Sequence, residues 1–240
     1  WTGKISSRFT VEGVPVQVTT VCHTGDDQVS ARIESDLIRE GRLKIKIHFP
    51  MGIPQPAGYD FDNPDAHITN VISSGEGETL FERIQDDDRY FVKVRHTSGS
   101  MGNASRHMYY IKPAADEQSF EFSCLFSKAE IRKVPDDFAL TAEKNRTGWA
   151  EFWSSGGAVD FSECTDHRSF ELERRVILSR YLTKIQCSGS LPPAETGLTY
   201  NSWFGKFHLE MHWWHGVHFA LWQKEDVLER QMDYYFKILG

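Results

Sequence analysis

The hydrophobic period of this chain changes near Val134, and that change limits what the chain can fold into. Before it, apolar residues recur at every second position: Val14, Val16, Val18; Leu43, Ile45, Ile47, Phe49; Tyr90, Val92, Val94; Phe120, Phe122, Cys124, Phe126. A period of two places one row of side chains on each face of a strand, one row buried and one wet, as in antiparallel sheet. Turn-forming groups separate the runs, among them Glu12-Gly13, Gly25-Asp26-Asp27, Gly75-Glu76-Gly77 and Asp86-Asp87-Asp88. After Val134 the apolar residues fall at helical spacing. Strands followed by helices predict a segregated α+β chain, an antiparallel β-sandwich followed by α-helical hairpins. The expected divisions are a sandwich over 1–132, a linker helix and loop over 133–165, and helical hairpins over 166–240.

Four helices are expected. Pro135-Asp136-Asp137 opens the first, with Pro in the first turn and acids at the positive end of the dipole, and Ser154-Ser155-Gly156-Gly157 ends it. The second runs from Asp166, a plausible N-cap, to Gln186, with a stripe of Phe170, Ile177, Leu178, Tyr181, Leu182 and Ile185. The third covers Phe207 to Trp222, and the fourth runs from Lys224 almost to Gly240. The third is apolar almost all round and so demands neighbours on several sides. The Pro50–Pro64 stretch is a long loop, of a length that is often functional or packed on a neighbour.

The net charge of −7 argues against a nucleic-acid binder, which needs a basic face for phosphate contacts. No apolar run approaches the roughly 18 residues of a membrane span. The four cysteines, Cys22, Cys124, Cys164 and Cys187, form no Cys-x-x-Cys pair, so buried free thiols are the default expectation, with one bridge as the alternative in an exported protein. Asn103-Ala104-Ser105 and Asn145-Arg146-Thr147 match the short glycosylation pattern, the second inside an expected helix. The chain starts at Trp1 without Met, which together with its acidity leans toward a periplasmic or secreted protein.

Chemistry concentrates in residues 199–222, which hold four of the seven Trp and four of the ten His. Flat apolar sugar faces stack on Trp, and sugar hydroxyls need donors and acceptors at the rim. The candidate site residues are Trp203, Lys206, His208, Trp213 and Trp214 for substrate binding and Glu210 for catalysis. On a helix Glu210 and Trp214 share one side, while His208, Met211, His212 and His215 share another. A Glu beside aromatic rings is partly desolvated, which raises its pKa. The competing readings are a helix buried on most of its circumference, with its histidines satisfied by hydrogen bonds, and a Lys206–Glu210 ion pair one turn apart. His208 and His212 lack an evident third ligand, so no metal is expected. No cofactor is expected either. Asp86-Asp87-Asp88 reads as a solvated turn, and Glu171 to Arg175 as a solvated helix face with ion pairs.

Three stretches carry a family resemblance: Glu173 to Gln186, Leu191 to Gly197, and Tyr200 to His215. Together they resemble the six-hairpin glycosidases, and most closely proteins similar to glycoside hydrolase family 65. The resemblance implies an N-terminal β-sandwich joined by linker helices to an (α/α)6 barrel, with the helices here as its first hairpins. It places Gly205 to Glu210 where the family has an aromatic and acidic motif lining a sugar subsite. Glu210 then contacts the sugar, with Trp203, Lys206 and His208 around it. The motif departs from the family's Trp-Asp-Thr-Glu type, which leaves hydrolysis and phosphorolysis both open. A barrel of about twelve helices would extend past Gly240, as would its general acid. The expectation is therefore a fragment of a glycoside hydrolase of two-carboxylate, inverting type acting on an oligosaccharide or glycoside, inactive alone, with further barrel or another subunit on its helices. The alternatives are a non-catalytic carbohydrate-binding module and a structural module.

Overall fold

A computed structural model describes residues 1–55, 57–115, 117–198 and 202–239. The strands are β1 (Ile5–Val11), β2 (Val14–Cys22), β3 (Gln28–Glu34), β4 (Ile45–His48), β5 (Met51–Gly52), β6 (Tyr59–Asp60), β7 (His67–Gly75), β8 (Glu78–Gln85), β9 (Asp88–His96), β10 (Ser100–Ser105), β11 (Met108–Lys112) and β12 (Ser119–Ser127). A short helix α1 (Asp36–Arg39) follows β3, and the long helices are α2 (Phe138–Ser154), α3 (Ser169–Cys187), α4 (Leu209–Leu221) and α5 (Glu225–Ile238). The chain is thus α+β, an antiparallel β-sandwich followed by helices. Contacts divide it into two compact units: Thr2–Gly52 with Tyr59–Ala150, and Glu151–Gly240 with Ile53–Gly58 and Trp1.

In the β unit, a seven-stranded sheet runs β1-β2-β3-β12-β9-β8-β7 and a three-stranded sheet runs β10-β11-β4. Every pairing is antiparallel. Phe81, Val92, Val94 and Phe120 of the large sheet pack with Phe49 and with Tyr109 and Ile111 of the small one. The Phe81 and Tyr109 ring centroids are 4.6 Å apart. Each fully buried aromatic of this kind contributes roughly 1.5–3 kcal/mol.

The central strands depart from the expected one wet face. β8 is buried from Thr79 to Arg83, because its second face is also covered. There Leu80, Phe91 and Leu125 pack with Ile131. Further along the same sheet the start of α2 docks through hydrogen bonds. Gln28 Nε2 donates to the Asp136 carbonyl (2.9 Å) and to Thr141 Oγ1 (2.8 Å), and Ser30 and Ser123 pair at 2.7 Å. α2 begins at Phe138 rather than Pro135, since Asp137 Oδ1 accepts the Leu140 N–H at 2.8 Å and caps it.

A buried cation sits between β7 and β8. The Arg83 side chain, 0% exposed, donates to the Ile68 and Pro50 carbonyls, to Thr69 Oγ1 and to His67 Nδ1. His67 must therefore present a lone pair at Nδ1 and remain neutral. Burial, reinforced by the charge of Arg83, lowers its pKa to about 4.

Asn145, which matches the short glycosylation pattern, is not a usable acceptor in the folded chain. Asn145 is 3% exposed, and its amide donates to the Thr2 carbonyl. The Asp86-Asp87 turn is exposed, as expected. The thiols are free, but not all buried: Cys22 and Cys164 are exposed. Burial pushes the Cys187 thiol up to about 11 and that of Cys124 up to about 12.

Among the described residues, no helix is long and apolar enough to cross a membrane.

Candidate functional site

The helical unit is tied together by a buried polar chain. His212 in α4 is 4% exposed, and Gln231 in α5 is 0% exposed. Gln231 Nε2 donates to the Cys187 carbonyl at the end of α3, which fixes its Oε1 as an acceptor. His212 Nε2 therefore donates to that Oε1 (2.9 Å), and the Tyr235 hydroxyl donates to His212 Nδ1 (2.7 Å). His212 is thus a satisfied core histidine. Around this chain Phe219, Val227 and Cys187 form a small apolar core.

α4 starts at Leu209, later than expected. Lys206 lies before it with extended backbone (φ −87°, ψ 152°), so it is not one helical turn from Glu210. The alternative reading of a Lys206–Glu210 ion pair is not met, and among the described residues neither side chain joins any ion pair. α3 likewise starts at Ser169. Asp166 closes a turn by accepting the Arg168 N–H at 2.9 Å and does not serve as the N-cap. The ion pairs expected around Glu171 are present. Hydrogen bonds from Arg174 and then Arg175 hold its carboxyl down to about 2.

α4 is not buried on most of its circumference. His212, Gly216 and Phe219 face inward, while Leu209 (72%), Trp213 (62%), Trp214 (63%) and Leu221 (77%) are exposed. At 100° per residue these four, with Glu210 and Val217, form one contiguous face. Glu210 stands in the first turn on that face and is exposed, so the expected desolvation is absent among the described residues. The stripe on α3 is also largely exposed, with Phe170 at 78%.

The other side of α4 holds a different cluster. The Trp203 and His208 rings lie 6.0 Å apart, edge on, and His208 Nε2 is 3.4 Å from Glu195 Oε2. The Glu195 N–H donates to the Lys206 carbonyl, and the backbone of Glu195 also holds the His215 ring. Burial lowers the His215 pKa, which keeps the ring neutral at neutral pH. Glu195 Oε2 and His215 Nδ1 are buried without a hydrogen-bond partner. An acceptor and an imidazole nitrogen stranded beside an exposed Trp can engage a polyhydroxylated ligand.

The backbone under Trp203 is strained. Trp203 (φ 48°) and Phe204 (φ 62°) both adopt left-handed conformations, each costing of the order of 1–3 kcal/mol for a bulky residue. Such strain concentrates at binding and catalytic positions, and here it presents Trp203, 59% exposed, beside His208.

The structure therefore brings Trp203 and His208 together with Glu195 and His215, and puts Glu210, Trp213 and Trp214 on another face. Glu195 was not among the candidate site residues: it lies in an irregular loop, within the Leu191–Gly197 stretch of the resemblance, and meets His208 only through tertiary packing. Thr199, Tyr200 and Asn201, part of the stretch singled out in the sequence, lie outside the described residues. Among the described residues no group of three His, Cys, Asp or Glu is arranged to hold a metal ion.

No family model matches the chain, and no curated protein matches it. Twelve chains of solved structures do match. One is a protein assigned as a kojibiose phosphorylase, from the human microbiome, with a TM-score of 0.53 and 10% sequence identity. The match covers 84% of this chain and 30% of that one. The chain therefore shares its fold with a glycoside phosphorylase over most of its own length, and spans under a third of that protein.

Proposed function

We propose that this chain is the sandwich, linker and first hairpins of a carbohydrate-active enzyme of the glycoside hydrolase family 65 type, divided at about 132 and 165. The observation that carries the reading is the Trp203–His208–Glu195–His215 cluster, with its stranded acceptor and strained, exposed indole. Its support is the fold shared with a glycoside phosphorylase. Trp203 stacks on a sugar ring, Glu195 and His215 accept hydrogen bonds from its hydroxyls, and His208 and Lys206 line the rim. Glu210 is the second carboxylate of this region, and Trp213 and Trp214 extend the aromatic surface beside it.

Hydrolysis by inversion needs two carboxyl groups about 6.5–9.5 Å apart, one protonating the leaving oxygen and one activating water, whereas phosphorolysis needs only the acid because phosphate is itself the nucleophile. The chain supplies at most one of them, and the general acid comes from further barrel. The exposed faces of α3 and α4 are the surfaces such helices would cover.

The test is calorimetric titration of the 240-residue chain with oligosaccharides, starting from kojibiose, the sugar in the neighbour's name. Saturable binding, lost in Trp203→Ala and weakened about tenfold or more in Glu195→Gln, is expected, the latter from loss of a charged hydrogen-bond acceptor. Binding of no sugar would leave the structural reading of the module in its place.

A further inference from the structure

A second site lies at the other end of α4. A cavity of about 310 Å³ opens between the last turns of α2 and α4, the middle of α3 and the start of α5. Its walls carry the cations Arg175, Arg180 and Lys224, the ring of His218, and the apolar faces of Phe152 and Trp222. No carboxylate lines it among the described residues.

Arg180 and Lys224 are held by aromatic faces rather than by acids. The Arg180 guanidinium lies 4.3 Å from the Trp222 ring centroid, and Lys224 Nζ lies 4.9 Å from that of Phe152. Lys224 donates to Ser155 Oγ, and Arg175 is shared with Glu171. Arg180 joins no ion pair among the described residues. Its Nη2 is buried without a hydrogen-bond partner, as is His218 Nε2 in the same wall. Desolvation by burial disfavours the charge on Arg180 and on Lys224. Lys184 Nζ also lies 4.7 Å from the Phe152 ring centroid, and Asp226 partly offsets the positive potential at Lys224.

An unpaired buried guanidinium N–H is costly until an acceptor meets it, and a planar guanidinium suits phosphate oxygens. The Trp214 carbonyl accepts from the His218 ring, which leaves Nε2 as a lone-pair acceptor for a hydroxyl. The volume sits at the low end of small-molecule pockets, roughly 300–1,000 Å³, larger than a lone ion needs. We infer that this cavity is a binding site for a compact, hydroxyl-bearing organic phosphate monoester, its phosphate on Arg180 and Lys224 and a hydroxyl on His218 Nε2. This site is separate from the Trp203 cluster and does not rest on the sugar reading.

The probes are glycerol 3-phosphate, propyl phosphate and glycerol, titrated by calorimetry into the full 240-residue chain. None is a sugar, so the outcome is independent of the Trp203 site. Glycerol 3-phosphate is expected to bind at one site and to weaken as salt rises, propyl phosphate to bind less tightly, and glycerol not to bind. Arg180→Gln should lower the affinity about tenfold or more, the loss typical of one charged hydrogen bond. His218→Asn, a change that spares the cations, should cut the preference for glycerol 3-phosphate over propyl phosphate. Absence of saturable phosphate-ester binding by the unmodified chain would overturn the inference. So would a His218→Asn protein that keeps the full hydroxyl preference, or a folded Arg180→Gln protein that binds as tightly as the original.

Discussion

Replacing His212 by Leu should expose how much the helical unit depends on its buried polar chain. Leucine fills most of the imidazole volume, so the cavity term is small, at most about 1 kcal/mol. The larger cost falls on Gln231. Its Oε1 loses the His212 donor at a position with 0% exposure, and an unsatisfied buried acceptor costs about 1–3 kcal/mol. The Tyr235 hydroxyl, half-buried, regains water and adds little. The expected loss is about 2–3 kcal/mol in urea unfolding followed by helical circular dichroism. The double variant His212→Leu, Gln231→Leu removes the stranded acceptor, leaving only the Cys187 carbonyl to find another donor. The two changes should therefore couple by about 1–2 kcal/mol, with the double variant less damaged than the sum. A loss below about 0.5 kcal/mol for His212→Leu, the size of a surface change, would refute the buried chain.

Two further predictions concern the β unit. Gly99 has φ +81°, and a Cβ there would lie 1.9 Å from the Lys112 carbonyl oxygen, whereas Gly13 has the same φ with open space around it. Gly99→Ala should cost more than about 2 kcal/mol and Gly13→Ala about 1 kcal/mol by urea unfolding, the difference being the backbone shift the clash demands. His67 is neutral in the fold, with a pKa near 4 against an ordinary 6.5, so the unfolded chain binds more protons between those values. Its contribution is complete above pH 6.5 and is lost as pH falls through 4, amounting to no more than about 3 kcal/mol. His67→Asn, which keeps an acceptor for Arg83, should flatten that acid limb in stability measured against pH; an unchanged limb would remove His67 as its source.

The α+β order was legible because the period of apolar residues is a direct record of which side chains share a face. It gave the alternating strands Val92–Val94 and Phe120–Cys124, and the helix carrying Trp149 and Phe152. What the period did not carry was the second buried face of β8. A strand covered on both sides, such as Thr79 to Arg83, mixes polar and apolar residues freely once each polar group has a partner. The sequence stretch rich in Trp and His was correctly marked as unusual, but it divides between two faces of α4. His212 joins the core and Trp213 and Trp214 point outward. Trp203 and Phe204 hold left-handed backbone with no glycine at either position to announce it. Glu195 and Arg180 reach their partners only through tertiary packing, so spacing along the chain gives no sign of either.

In the proposed site Trp203 forms the floor on which the sugar stacks. The most direct measurement is the nuclear magnetic resonance spectrum of the seven indole N–H groups, assigned by single Trp substitutions and followed during oligosaccharide titration. The Trp203 indole should shift saturably, with the midpoint moved to about tenfold or more higher sugar concentration when Glu195 is replaced by Gln, and the Trp149 indole in the β unit should not shift. A Trp203 signal that stays fixed while others move, or a spectrum with no response to any oligosaccharide, would contradict the proposed site.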